Sequence, residues 1–150
     1  MKRFDFRLKS VLVLRKRLLN EAERKYSLAI QRRKAAESRL QAGVETLDAM
    51  NDRVMSTRET RFSGYQQEVY IGGLKQAKAN LLKLEKLLVQ ARNQEAQEKI
   101  VYIEANKNHE LLLKLKERQH LKHVFDEQHK EQLEQDDLFN ARKSVLNAVR

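Results

Sequence analysis

His120 and His123 stand three residues apart, with Glu117 and Glu127 a turn away on either side, and this is the grouping with the most metal-like chemistry. Glu-x-x-His on a helix holds di-iron only when a second such motif and further carboxylates face it from other helices. Two helices enclose no such site, so these side chains are expected to be solvated polar residues and no metal is expected. The other chemical candidates are cationic. Arg15-Lys16-Arg17 and Arg32-Arg33-Lys34 form basic clusters in a chain of net charge +10 and pI about 9.9. Such clusters attract acidic protein surfaces or phosphate backbones. The chain has no P-loop, no G-x-S-x-G and no HExxH, and a helix pair offers no pocket to desolvate a reacting group. No enzymatic activity and no cofactor are expected.

The elements that must carry these residues are helical. Of the 150 residues 35% are charged, the mean hydropathy is -0.75, and Pro, Cys and Trp are absent. With no Pro, nothing forces a helix to kink or stop. Absent Cys excludes disulfides and thiolate metal sites and fits a reducing compartment. The apolar run Val11–Leu14 ends at Arg15, too short for a signal peptide, and no apolar stretch nears the ~20 residues of a membrane span. A cytoplasmic location is the expectation. Residues 1–61 carry 16 Lys+Arg against 8 Asp+Glu, whereas residues 62–150 carry 15 against 13. Helix 1 is therefore expected to be a basic element that suits an acidic partner.

Heptads run through both halves. Leu12, Leu19, Tyr26, Arg33, Leu40, Leu47 and Val54 recur at intervals of seven, and Leu8, Arg15, Ala22, Ala29, Ala36, Gly43 and Met50 precede them by four. This is the a/d seam of a left-handed coiled coil. After the glycines, Leu74, Leu81, Leu88, Glu95 and Tyr102 run beside Ala77, Leu84, Ala91, Glu98 and Ala105. The stripe then drifts to Leu111, Leu115, Leu121 and Phe125, which predicts a stutter. The fold class is all-α: two long helices in an antiparallel left-handed coiled-coil hairpin, as one domain over 1–150. Helix 1 is expected over about 6–60, the turn over about 62–73 around Gly64, Gly72 and Gly73, and helix 2 over about 74–147, with a start already near Gln66 left open. With residue 74 opposite about residue 61, Leu8 faces about residue 127, and everything past about 128 overhangs. That register also pairs Arg33 with Glu98 inside the seam.

Phe4-Asp5-Phe6-Arg7-Leu8-Lys9-Ser10-Val11-Leu12, then Leu14-Arg15 and Glu21-Ala22, resembles the F-x-F-x-L-x-x-V-L-x-x-R opening of the flagellar export protein FliJ family. Tyr65-Gln66-Gln67 through Tyr70, Leu74 and Ala77 is similar to that family's second-helix start. Leu113–Arg118, Glu131-Gln132, Asp136-Asp137 and Arg142 are similar to its C-terminal half. The resemblance spans nearly the whole chain.

It implies a soluble component of the flagellar type III export apparatus, similar to the central stalk of rotary ATPases. The implied partners are the hexameric export ATPase, the cytoplasmic region of the export gate and export chaperones. The implied place is the cytoplasmic side of the inner membrane at the flagellar base, reached through those partners, with the chain a monomer. The gate-binding candidates it implies are Tyr70, Leu74, Ala77 and Leu81, the last three also being seam positions. For the ATPase ring the candidates are Arg15, Lys16, Arg118 and Lys122, which also read as an ordinary solvated face. The sequence departs from the pattern in having no aromatic between Tyr26 and Phe62 to complete the gate patch from helix 1. The injectisome counterpart of such a stalk, a basic coiled-coil scaffold and a nucleic-acid-associated protein stay open as alternatives.

Overall fold

The computed structural model describes residues 3–60 and 63–148, with side chains to residue 144. Two helices, α1 (Lys9–Arg58) and α2 (Gly64–Ala148), account for almost all of it, and no strand occurs among the described residues. Packing divides the chain into two compact units, Met1–Leu19 with Ala105–Arg150, and Asn20–Glu104. Both helices contribute to both units.

In the Asn20–Glu104 unit the helices pack antiparallel through the expected seam. Ala22, Ala29, Val54 and Leu88 are buried, and the seam positions between them are half-buried. Only Met50 among the expected positions of this unit is exposed. Few side chains are buried outright because two helices cover only one stripe of each other. The small residue Gly43 admits the closest approach: a Cβ built there would lie 3.0 Å from a Leu84 methyl. Tyr26 stacks on Tyr102, ring centroids 5.7 Å apart and 19° from parallel.

The register differs from expectation by one heptad. Tyr26 meets Tyr102, and Arg33 bonds Glu95 rather than Glu98. The cause is the turn. Ser63 Oγ accepts from the Gln66 amide at 3.4 Å, while the Ser63 amide donates to Gln66 Oε1 at 3.2 Å. This reciprocal pair is a capping box, which satisfies orphan donors and starts α2 at Gly64. The turn expected over 62–73 is therefore far shorter on its C-terminal side. Gly72 and Gly73 lie inside α2, and no described residue has positive φ. Phe62, the first residue of the expected turn, lies outside the described residues, as does Arg61 before it.

In the unit of Met1–Leu19 with Ala105–Arg150, Phe6 and Leu19 are buried and Leu8, Leu12 and Arg15 half-buried. Lys9 N donates to Phe6 O at 3.0 Å, fixing the entry into α1. Phe4 packs edge-on to His120 at 5.0 Å and tilted to His123 at 5.7 Å. The expectation that Leu8 faces about residue 127 is thus corrected toward earlier residues of α2. The stutter is corrected as well. Leu111, Leu115, Leu121 and Phe125 are exposed, whereas His109, Leu112 and His123 are half-buried. After Leu112 the half-buried residues are His123, Val124 and Glu127, on the side of α2 where Phe4 packs on His120 and His123, rather than on the expected stripe. From residue 128 to residue 144 every side chain is exposed, as expected of an unpaired end.

Candidate partner-binding surfaces

Within the Asn20–Glu104 unit, an ion network crosses the seam. Arg33 bonds Glu95 of α2 and, through Nη1, Glu37 Oε2 at 2.8 Å; Arg92 Nη2 reaches Glu37 Oε1 at 3.3 Å. The charges alternate, so each is neutralised by neighbours of opposite sign. Hydrogen bonds from Arg33 and then Arg92 hold the Glu37 carboxyl below its ordinary value. Hydrogen bonds to Glu37 and Glu95 push the Arg33 guanidinium further up. Sequence spacing singled out Arg33 and both seam glutamates but not Glu37 or Arg92. Their signal was the i,i+4 spacing of Arg33 and Glu37.

The four gate candidates lie on the first turns of α2, and all are half-buried. Ala77 and Leu81 share a groove of about 500 Å³ with Ala42, Gly43, Met50 and Gly73. Tyr70 and Leu74 are not in its lining. The groove exists because small residues at successive seam levels leave the helices incompletely filled. Outside it, Tyr65 and Val69 are more exposed than Tyr70, Tyr65 to 77%. Neither was singled out as a contact residue, although apolar residues out of phase with the seam were the available signal. Tyr65 and Val69, four residues apart, are neighbours on one face of α2.

The ATPase-ring candidates belong to the unit of Met1–Leu19 with Ala105–Arg150. Arg15 is half-buried in the seam, while Lys16, Arg118 and Lys122 are exposed. Arg118 and Lys122 are one turn apart on the outer face of α2, interleaved with exposed Leu111, Leu121 and Phe125. Arg15 faces inward instead. Sequence reading missed a second basic feature of this unit. Arg3, Lys9, Lys116 and His120 surround Phe4 in an open hollow of about 720 Å³, which Asp5 also lines. Cations around an aromatic suit an acidic protein segment with an apolar residue in it. Among the described residues no group of three or more His, Cys, Asp or Glu is placed to hold a metal. The imidazoles of His120 and His123 are packed against Phe4. Among the described residues no helix is long and apolar enough to cross a membrane.

A family model described as Flagellar FliJ protein matches residues 4–145. No curated protein and no solved structure matches the chain.

Proposed function

Because the chain belongs to the flagellar FliJ protein family, a family of non-catalytic components associated with flagellar export, we propose that it is the stalk that links the export ATPase to the export gate. In this reading the unit of Met1–Leu19 with Ala105–Arg150 seats in the pore of the ATPase hexamer. The Asn20–Glu104 unit contacts the cytoplasmic region of the gate, and exposed apolar surface receives export chaperones. The chain promotes the coupling of ATP hydrolysis to protein export. It is held at the flagellar base by its partners, as a single chain within the ring.

The observation that carries this reading is the family match over residues 4–145. The surfaces support it chemically. Exposed Lys16, Arg118 and Lys122, with the basic hollow around Phe4, suit an acidic pore lining. Tyr65, Val69 and Tyr70 suit an apolar contact on the gate. A single asymmetric element inside a six-fold ring meets each subunit differently and shifts their states unequally, which couples it to the catalytic cycle.

The test combines pull-down with the cognate export ATPase and its hydrolysis rate with and without this chain. The expected result is binding and a raised rate, with binding reduced about tenfold or more by Arg118→Glu with Lys122→Glu. Unchanged binding by that variant would refute the residue assignment. Absence of binding and of any rate change at low salt would refute the stalk itself. For the gate, Tyr65→Ala with Tyr70→Ala should weaken capture of the gate's cytoplasmic region and leave ATPase binding intact.

A further inference from the structure

The outer face of α2 beyond residue 107 carries a second stripe, part apolar and part charged, that the fold leaves uncovered. Leu111, Leu121, Phe125 and Phe139 are exposed to 56, 62, 69 and 68%. They stand roughly opposite His109 and His123, which face the seam. Leu121 and Phe125 adjoin at the centre of this face, and Leu111 and Phe139 stand at equal distances on either side of Phe125.

We infer that this face pairs antiparallel with the same face of a second copy of the chain, about a two-fold axis at Phe125. The stripe is symmetric about that residue. From Phe125 toward the N-terminus its positions fall at Leu121, Arg118, Lys114 and Leu111, at intervals of four, three, four and three. Toward the C-terminus the same intervals give His129, Gln132, Asp136 and Phe139. Antiparallel pairing therefore sets Phe125 against Phe125, Leu121 against His129, Arg118 against Gln132, Lys114 against Asp136 and Leu111 against Phe139. Phe125, Leu121 with His129, and Leu111 with Phe139 give apolar or aromatic levels, Lys114 with Asp136 a level of opposite charge, and Arg118 can donate to the Gln132 amide oxygen. His129 already stacks on Phe125 of its own helix, centroids 6.5 Å apart, which extends the aromatic centre.

Charge favours the same arrangement. Residues 107–122 carry five Lys+Arg against two Asp+Glu, and residues 126–137 carry six Asp+Glu against one Lys. Antiparallel pairing lays the basic stretch of each copy along the acidic stretch of the other, twice by symmetry. Parallel pairing lays like on like. Register is fixed too. Sliding by one heptad sets Leu121 on Asp136 in one direction and Lys114 on His129 in the other. The pairing ends where Lys107 would meet Lys143. Such an interface, one helix pair some 29 residues long with few apolar levels, is weak and reversible. Arg118 and Lys122 lie within it. If the ring reading above holds, pairing and ring binding exclude each other, and free chains keep the ring-binding face covered.

The test uses the full chain alone, so it stands whether or not the ring reading does. Light scattering should show a mass rising from 17.7 kDa toward twice that value between about 5 and 200 µM chain. Lys114→Asp should hold the chain at the single mass, and Lys114→Asp with Asp136→Lys should restore pairing, with helicity unchanged in both. Restoration by the double exchange is a result that mere unfolding does not give. A mass of 17.7 kDa across the whole range overturns the inference and leaves the face to an acidic partner helix. Pairing undisturbed by Lys114→Asp overturns it as well, by locating the contact elsewhere.

Discussion

Arg33 shows how a single charged side chain can specify an arrangement that apolar seam residues leave degenerate. Leucines and alanines that recur every seven residues pack equally well after a slide of one heptad. A half-buried guanidinium does not, because it must find its carboxylates, here Glu95 across the seam and Glu37 on its own helix. A half-buried ion pair of this kind selects a register more than it adds stability. Glu37 makes the cost visible as pH dependence. Its folded pKa lies below the ordinary value of 4.5, so its contribution to stability is fully present above that value. The contribution is lost as pH falls through the lowered folded value, when the carboxyl protonates and releases Arg33 and Arg92. A thermal melt series from about pH 6 to pH 3 should show the midpoint falling on the acid side, and Glu37→Gln should shallow that fall. An acid limb identical in the two proteins would mean that Glu37 takes no part in it.

The two helices were legible in the sequence, but their ends and register were not, and α2 shows why. Its seam, from Leu74 through Tyr102, stood in the heptads, and those positions are buried or half-buried. Its start was left between about Gln66 and Leu74, because Gly72 and Gly73 drew the turn toward them. Three glycines in ten residues resemble a loop, yet a capping box at Ser63 and Gln66 starts the helix before two of them. One local motif thus moved the start of α2, and the partner of Arg33 is Glu95 in place of the expected Glu98. The stripe of Leu111, Leu121 and Phe125 misled for a related reason: apolar periodicity marks a face and does not say what covers it. The capping account carries opposite signs for two substitutions. Ser63→Ala should cost about 1 kcal/mol by removing the cap. Gly72→Ala and Gly73→Ala should each stabilise by roughly 0.5–1 kcal/mol, since α2 is helical there and a Cβ at either meets nothing within 4 Å. Chemical denaturation of the three variants checks both. A gain from Ser63→Ala, or a loss from either glycine variant, would contradict the helix start described.

For the molecule as a whole, charge is the property that sequence gave most directly and that bears most on how a partner is found. Net charge is +10, and residues 1–61 hold most of the excess. The family membership was legible in the aromatic opening Phe4-Asp5-Phe6, and the structure gives that opening a physical role: Phe6 is buried and Phe4 seats on His120 and His123. Individual contact residues were less legible, because a cation exposed for solubility and one exposed for binding have the same sequence signal. Kinetics separates the two. Cations that guide the chain to an acidic ring accelerate encounter through a long-range field, which salt screens over about 8–10 Å at physiological strength. On the proposed ring reading, association with the export ATPase should slow by about tenfold between about 20 mM and 300 mM salt, while dissociation changes much less. Stopped-flow mixing at several salt concentrations measures both. Arg118→Glu with Lys122→Glu should slow association at low salt and flatten its dependence on salt. An association rate indifferent to salt in the unaltered chain would mean that its positive charge serves solubility, and would shift the weight of ring recognition to apolar contacts such as Phe125.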